Sequence, residues 1–146
     1  MIGSMSFSRR DLALLLPVLG VADAAPQSGS GALPAKIYQS SEMPYKGDDR
    51  KKGRAFFHGP THSGFVVDCH ETVLGPGVAT HPPHKHEHEE VIILVEGTVD
   101  AFLDGKTERA GAGSVFYFGS NLMHNVTNTG ATPCRYYVIE LRGKEA

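Results

Sequence analysis

Four of the eight histidines of this 146-residue chain fall in one short stretch, His81-Pro82-Pro83-His84-Lys85-His86-Glu87-His88-Glu89-Glu90, which runs straight into apolar residues 91–95. Imidazole nitrogens and carboxylates are ligands for first-row transition metals, and Zn, Cu, Fe and Ni all accept imidazole. The stretch therefore reads as the edge of a metal site. Along a regular extended strand side chains alternate faces, so His84, His86, His88 and Glu90 would point to one side. A further ligand must come from elsewhere in the chain. His124, just beyond the apolar run Val115-Phe116-Tyr117-Phe118, is the candidate.

The elements that must hold these residues read as strands. Residues 65–74 are rich in β-forming side chains and stop at Gly75-Pro76-Gly77. Further strands are expected at 90–95, 98–103, 106–110, 114–118, 123–127 and 134–141, each bounded by Gly, Asn or Asp. Asp104-Gly105 is a hairpin signal, because Asp-Gly suits the positive φ angles of a type I′ turn. Residues 91–95 are apolar at every position and should be buried on both faces, against the barrel interior on one side and another sheet, arm or subunit on the other. About eight short strands with turns at this spacing fit an all-β jelly roll or small barrel.

Composition is that of an ordinary globular domain, with 40% hydrophobic and 21% charged residues. A net charge of −2 leaves no electrostatic footprint for nucleic acid. The cluster Arg50-Lys51-Lys52-Gly53-Arg54 reads as a solvated loop. Residues 1–24 read as an export signal: a twin-arginine pair at Arg9-Arg10, an uncharged apolar run at 12–21, and Ala22-Asp23-Ala24 as a small-x-small cleavage site. The run is shorter than the roughly 20 residues that span a bilayer, so no permanent membrane anchor is expected. Residues 25–54 follow as linker and amino-terminal arm, with a short strand at Ile37-Tyr38, and 55–146 form the β-barrel domain. The domain is expected to work in the periplasm or outside the cell.

His84-x-His86, three residues, Glu90, six residues and Gly97 resemble the first motif of the cupins, and Gly113, His124 and Asn128 keep the spacing of the second. Gly119-Ser120-Asn121 stands where that family has Pro-x-Gly, and Asn also tolerates a left-handed backbone. Gly77 lies one residue further from His84 than the family's leading glycine. The resemblance covers residues 65–141. It implies a cupin-type double-stranded β-helix, a jelly-roll barrel, holding one divalent transition metal ion (Fe, Mn, Ni or Zn) on His84, His86, Glu90 and His124.

In that register the neighbouring histidines are surplus. Taking His86 and His88 as the pair would put Ile92 or Ile93 where the carboxylate belongs, so His81 and His88 read as exposed loop residues or, as the alternative, as donors that hydrogen-bond to the ligands. His58 and His62, beside Gly59-Pro60, read as loop histidines, although they and Arg54 could reach the barrel mouth as acid, base or anion contact. Four protein ligands on an octahedral ion leave two positions, enough for a bidentate substrate or a substrate oxygen plus water or O2. Ser114 and Ser120 lack a context that would activate a nucleophile. The reading is a small metal-dependent enzyme (oxygenase, isomerase, lyase or decarboxylase) acting on a small oxygenated organic molecule. The alternative is a non-catalytic cupin that binds a sugar, acid or metal. Cys69 and Cys134 fit no CxxC pattern and lie in apolar runs, where Cys serves as a small buried hydrophobe. Two-sided apolar residues 91–95 point to a homodimer.

Overall fold

The structure, a computed structural model, describes residues 31–144, so the export segment expected at 1–24 lies outside the described residues. The strands are β1 (Lys46–Gly47), β2 (Lys51–Pro60), β3 (Phe65–Leu74), β4 (Glu89–Glu96), β5 (Thr98–Leu103), β6 (Lys106–Gly111), β7 (Val115–Phe118), β8 (His124–Asn128) and β9 (Cys134–Lys144). They form two antiparallel sheets in the orders β1-β2-β3-β9-β4-β7 and β6-β5-β8. This is the all-β jelly roll expected from the turn spacing. The hairpin at Asp104-Gly105 has φ of 43° and 88°, both positive as a type I′ turn requires.

Three local expectations are corrected. Residues 51–54 begin β2 rather than a loop, pairing Lys52 with Val73 and Arg54 with Glu71. Arg54 has a buried carboxylate to answer, and that contact outweighs a charged composition. Ile37 and Tyr38 join no ladder; the Tyr38 ring packs 5.0 Å from Phe57 instead. The histidine stretch is not a strand until Glu89, because Pro82 and Pro83 have no N–H to give a ladder. His84 makes only an isolated bridge to His124, with backbone bonds of 3.1 and 2.8 Å.

Strands β3, β9 and β4 lie side by side in the larger sheet, and ladder partners share a face. Reading inward rows across them gives Thr72–Tyr136–Leu94, then His70–Val138–Ile92, then Asp68–Glu140–Glu90. One face thus passes from apolar to charged within five residues. At the apolar end Leu74, Leu94, Val99 and Cys134 are completely buried. Side chains of Val or Leu size contribute roughly 1.5–3 kcal/mol each when buried so fully. The charged end has no such packing and forms the mouth. Gly97 makes the turn from β4 to β5 at φ 89°, where a Cβ would meet the Cys134 Cβ at 2.7 Å.

On the opposite face of β4, Val91 and Val95 are half-buried and Ile93 is 37% exposed, beside Val115 and Tyr117 of β7. Nothing in the described residues covers that patch fully. Cys69 and Cys134 are both free thiols, and burial raises their pKa values. Among the described residues no helix is long and apolar enough to cross a membrane.

Candidate metal centre

Three histidine rings converge at the mouth. Ring centroids are 5.1 Å apart for His84–His86 and 4.7 Å for both His84–His124 and His86–His124. His124 opens β8, and its backbone bridge to His84 locks those two together. The carbonyl of His86 accepts the N–H of Asn121 at 2.7 Å, and Asn121 takes the left-handed conformation expected of it, φ 59°. The turn that replaces Pro-x-Gly therefore also anchors the histidine loop.

Each of the three rings is bonded through Nδ1 to a backbone carbonyl: His84 to His124 at 3.3 Å, His86 to His88 at 2.8 Å and His124 to Leu122 at 2.8 Å. A carbonyl only accepts, so Nδ1 carries the proton and Nε2 is left with a lone pair. The His124 Nε2 is buried and has no hydrogen-bond partner. An orphaned buried polar atom costs about 1–3 kcal/mol, and a metal bond would convert that cost into attachment. Burial, and then the adjacent His124, lower the pKa of His84; burial lowers that of His124. Both effects favour the neutral form that ligates.

Glu90 completes the cluster, with Oε2 3.3 Å from His86 Nε2 and 3.9 Å from His124 Nε2. Burial pushes its carboxyl above the usual range, against the pull of His86. The three histidines thus meet at the mouth, and Glu90 stands beside His86 and His124. His84, His86 and His124 offer atoms within 4.8 Å of one another, as do His86, His88 and Glu90. Three imidazoles, one carboxylate and no thiolate suit Fe, Mn, Ni or Zn. The donor set fits such an ion.

The centre opens on a cavity of about 360 Å³, whose walls also include Lys51, His70, His88, Tyr136 and Glu140. Sequence reading missed most of these. His70 donates Nδ1–H to Asp68 at 2.8 Å, leaving Nε2 as the basic atom of its ring. Only the period-two placement of Asp68, His70 and Thr72 on β3 could have marked them as one face. His88, expected as an exposed loop residue, stacks on His86 at 3.5 Å and 5° and lies 3.3 Å from Glu140. His81 is exposed as expected, but its ring sits edge-on to His84 at 3.7 Å. Arg54 does not reach the mouth, being held by Glu71 and the Ser40 carbonyl. His58 approaches Asp68 at 3.4 Å, and neither it nor His62 lines the cavity.

Residues 70–140 match the Cupin domain family. No curated protein matches the chain in sequence. Among solved structures the chain resembles an RmlC-like cupin from Shewanella frigidimarina, with TM-score 0.60 and 18% identity over 73% of this chain and 90% of the other. It also resembles the polyketide cyclase RemF from Streptomyces resistomycificus, with TM-score 0.61 and 21% identity over 76% and 82%. A predicted oxalate decarboxylase from Thermotoga maritima gives TM-score 0.61 and 20% identity over 74% and 100%. At these identities the likeness is one of fold.

Proposed function

We propose, from the match of residues 70–140 to the Cupin domain family, that the chain is a small metal-dependent enzyme acting on a small oxygenated organic molecule. The observation that carries this reading is the triangle of histidines held by Nδ1, with the Nε2 atoms of His86 and His124 beside Glu90. A divalent ion on His84, His86, Glu90 and His124 would act as a Lewis acid toward a bound substrate oxygen. The chain's own contribution is proton handling and exclusion of water. His70, oriented by Asp68, is placed on the cavity wall to take or return a proton through Nε2. Ile92, Phe118 and Val138 make the floor apolar, which strengthens every polar contact above it.

Isomerase, lyase, decarboxylase and oxygenase chemistry all begin from such a centre. The polyketide cyclase and predicted oxalate decarboxylase among similar folds keep that range open. A non-catalytic binder would need the same metal and cavity but not the Asp68–His70 pair. We place the protein in the periplasm or outside the cell on the strength of the twin-arginine-like segment at 1–24, and we take it to be a homodimer through the exposed face of β4 and β7. Metal analysis of protein purified from its native host tests the central claim. One equivalent of Fe, Mn, Ni or Zn per chain is expected, and protein isolated without bound metal that also takes up none on titration would overturn it. Fractionation of the host cell tests the location.

A further inference from the structure

The cavity has a second polar pole away from the histidines. Lys51 on β2 lines it, and its ammonium donates to the Thr80 carbonyl. No carboxylate lies within ion-pair distance of that ammonium among the described residues. Tyr136 on β9 lines the same cavity; the residue is 1% exposed, and its buried hydroxyl has no partner in hydrogen-bond geometry. The hydroxyls of Thr80 and Thr72 lie close enough to act on that phenol, but neither meets it in hydrogen-bond geometry, and the Thr80 hydroxyl donates to the Val126 carbonyl at 3.4 Å. Burial drives the Tyr136 pKa upward, so the phenol stays a donor at any physiological pH. Thr80 joins the two groups, since its carbonyl holds Lys51 and its side chain lies beside Tyr136.

Glu140 is already matched by the Arg142 guanidinium at 2.8 Å. Glu90 belongs to the histidine cluster, where a divalent ion would outweigh it. Lys51, an exposed residue, then brings to this cavity a positive charge without a carboxylate partner, and the Tyr136 hydroxyl brings a donor without one. Neither group serves the metal, and a buried donor without a partner is costly to keep.

We propose that Lys51 and Tyr136 form a carboxylate-binding pole, so that the ligand of this cavity is a small organic acid with a second oxygen for the metal. One carboxylate oxygen takes the ammonium and the other the phenol. A planar two-oxygen anion matches two donors, whereas a phosphate would leave oxygens unmet. The inference rests on the metal-centre reading for the second oxygen but not for the pole itself.

Calorimetric titration with lactate, with its uncharged analogue propane-1,2-diol and with inorganic phosphate tests the assignment, on protein of measured metal content. Lactate should bind metal-loaded protein at least tenfold more tightly than the diol. Lys51→Met should weaken lactate roughly fivefold, as a partly exposed charge pair allows. Tyr136→Phe, which preserves the packed ring, should weaken it roughly tenfold, as a buried hydrogen bond to a charge allows. Metal content and diol binding should not change in either variant. Equal binding of lactate and diol, or full lactate affinity in the double variant, would overturn the proposal, as would phosphate binding more tightly than lactate. If the protein takes up no metal, the reading of the histidine centre fails separately. Lactate binding to metal-free protein, lost in the double variant, then still decides whether the pole exists.

Discussion

Glu71 and Glu90 are carboxylates of one sheet, separated by β9 and pointing to opposite faces of it, and their surroundings differ in kind. Glu71 on β3 is completely buried and receives Arg54, Arg135 at 2.8 Å and the Tyr45 hydroxyl at 2.9 Å. Burial alone would raise its pKa, but the hydrogen bonds from Arg135, Arg54 and Tyr45 outweigh it and hold the carboxyl below its usual range. Glu90 on β4 has imidazoles and the Glu140 carboxylate beside it but no Lys or Arg, and burial, with Glu140 adding to it, raises its pKa. A carboxylate whose charge is fully answered within the protein is structural. One placed among neutral histidine lone pairs still lacks a cation. The two environments separate fold from function within a single sheet.

The largest expected effect lies at Glu71. Glu71→Ala leaves Arg54 and Arg135 without their shared partner and should cost about 3–5 kcal/mol of stability in urea unfolding. Glu90→Gln in metal-free protein should stay within about 1 kcal/mol of the parent, because it removes a charge that nothing there stabilises. Equal losses at the two sites would erase the distinction. Metal binding should invert the order: Glu90→Gln lowers affinity by more than about tenfold, and His86→Ala with Glu90→Ala abolishes uptake while the β-sheet circular dichroism is retained. Unfolding of that double variant would instead indicate a structural metal.

The pH dependence sharpens the comparison with a sign for each group. Glu71 titrates lower in the folded chain than its ordinary 4.5, so its stabilisation is present above that value and is lost as pH falls through the folded pKa. Glu90 titrates higher when folded, so its contribution has the opposite sign and is lost as pH rises above 4.5. His84 and His124 titrate below 6.5 when folded, so the unfolded chain binds more protons and metal-free stability declines as pH drops below about 6.5. Metal affinity should fall over the same range, because protonated imidazole cannot ligate. Unfolding and metal content followed from pH 8 to pH 4 would check both, and full metal occupancy at pH 4.5 would contradict the site.

A smaller effect is expected on the outer face of the same sheet. Ile93→Asp should convert a dimer to a monomer in light scattering without changing metal content. A parent protein that is already monomeric would remove the homodimer from the picture.

Much of this was legible in the residues. Strand positions from 65 onward followed from apolar runs cut by Gly, Asn and Asp, because turn chemistry is local. The ligand set His84, His86, Glu90 and His124 came from the resemblance of their spacing to the two cupin motifs. The reasoning failed where neighbours come from distant strands. Proline kept the histidine stretch out of the ladder, and the three rings converge through backbone bonds to His88, Leu122 and His124 rather than through strand alternation. Lys51 looked like part of a solvated loop, and Tyr136 was only one position of the strand expected at 134–141.

By itself, then, the sequence determined an all-β fold and the ligand types, since periodicity, turn residues and imidazole chemistry are properties of short segments. Only the tertiary structure decided which carboxylate is satisfied and which is not. It also set His70 against Asp68, and brought Lys51 and Tyr136 to one cavity from strands more than 80 positions apart in the chain. Hydrogen bonding and charge compensation depend on partners that cross-strand register supplies, and register is settled by the packing of the whole sheet.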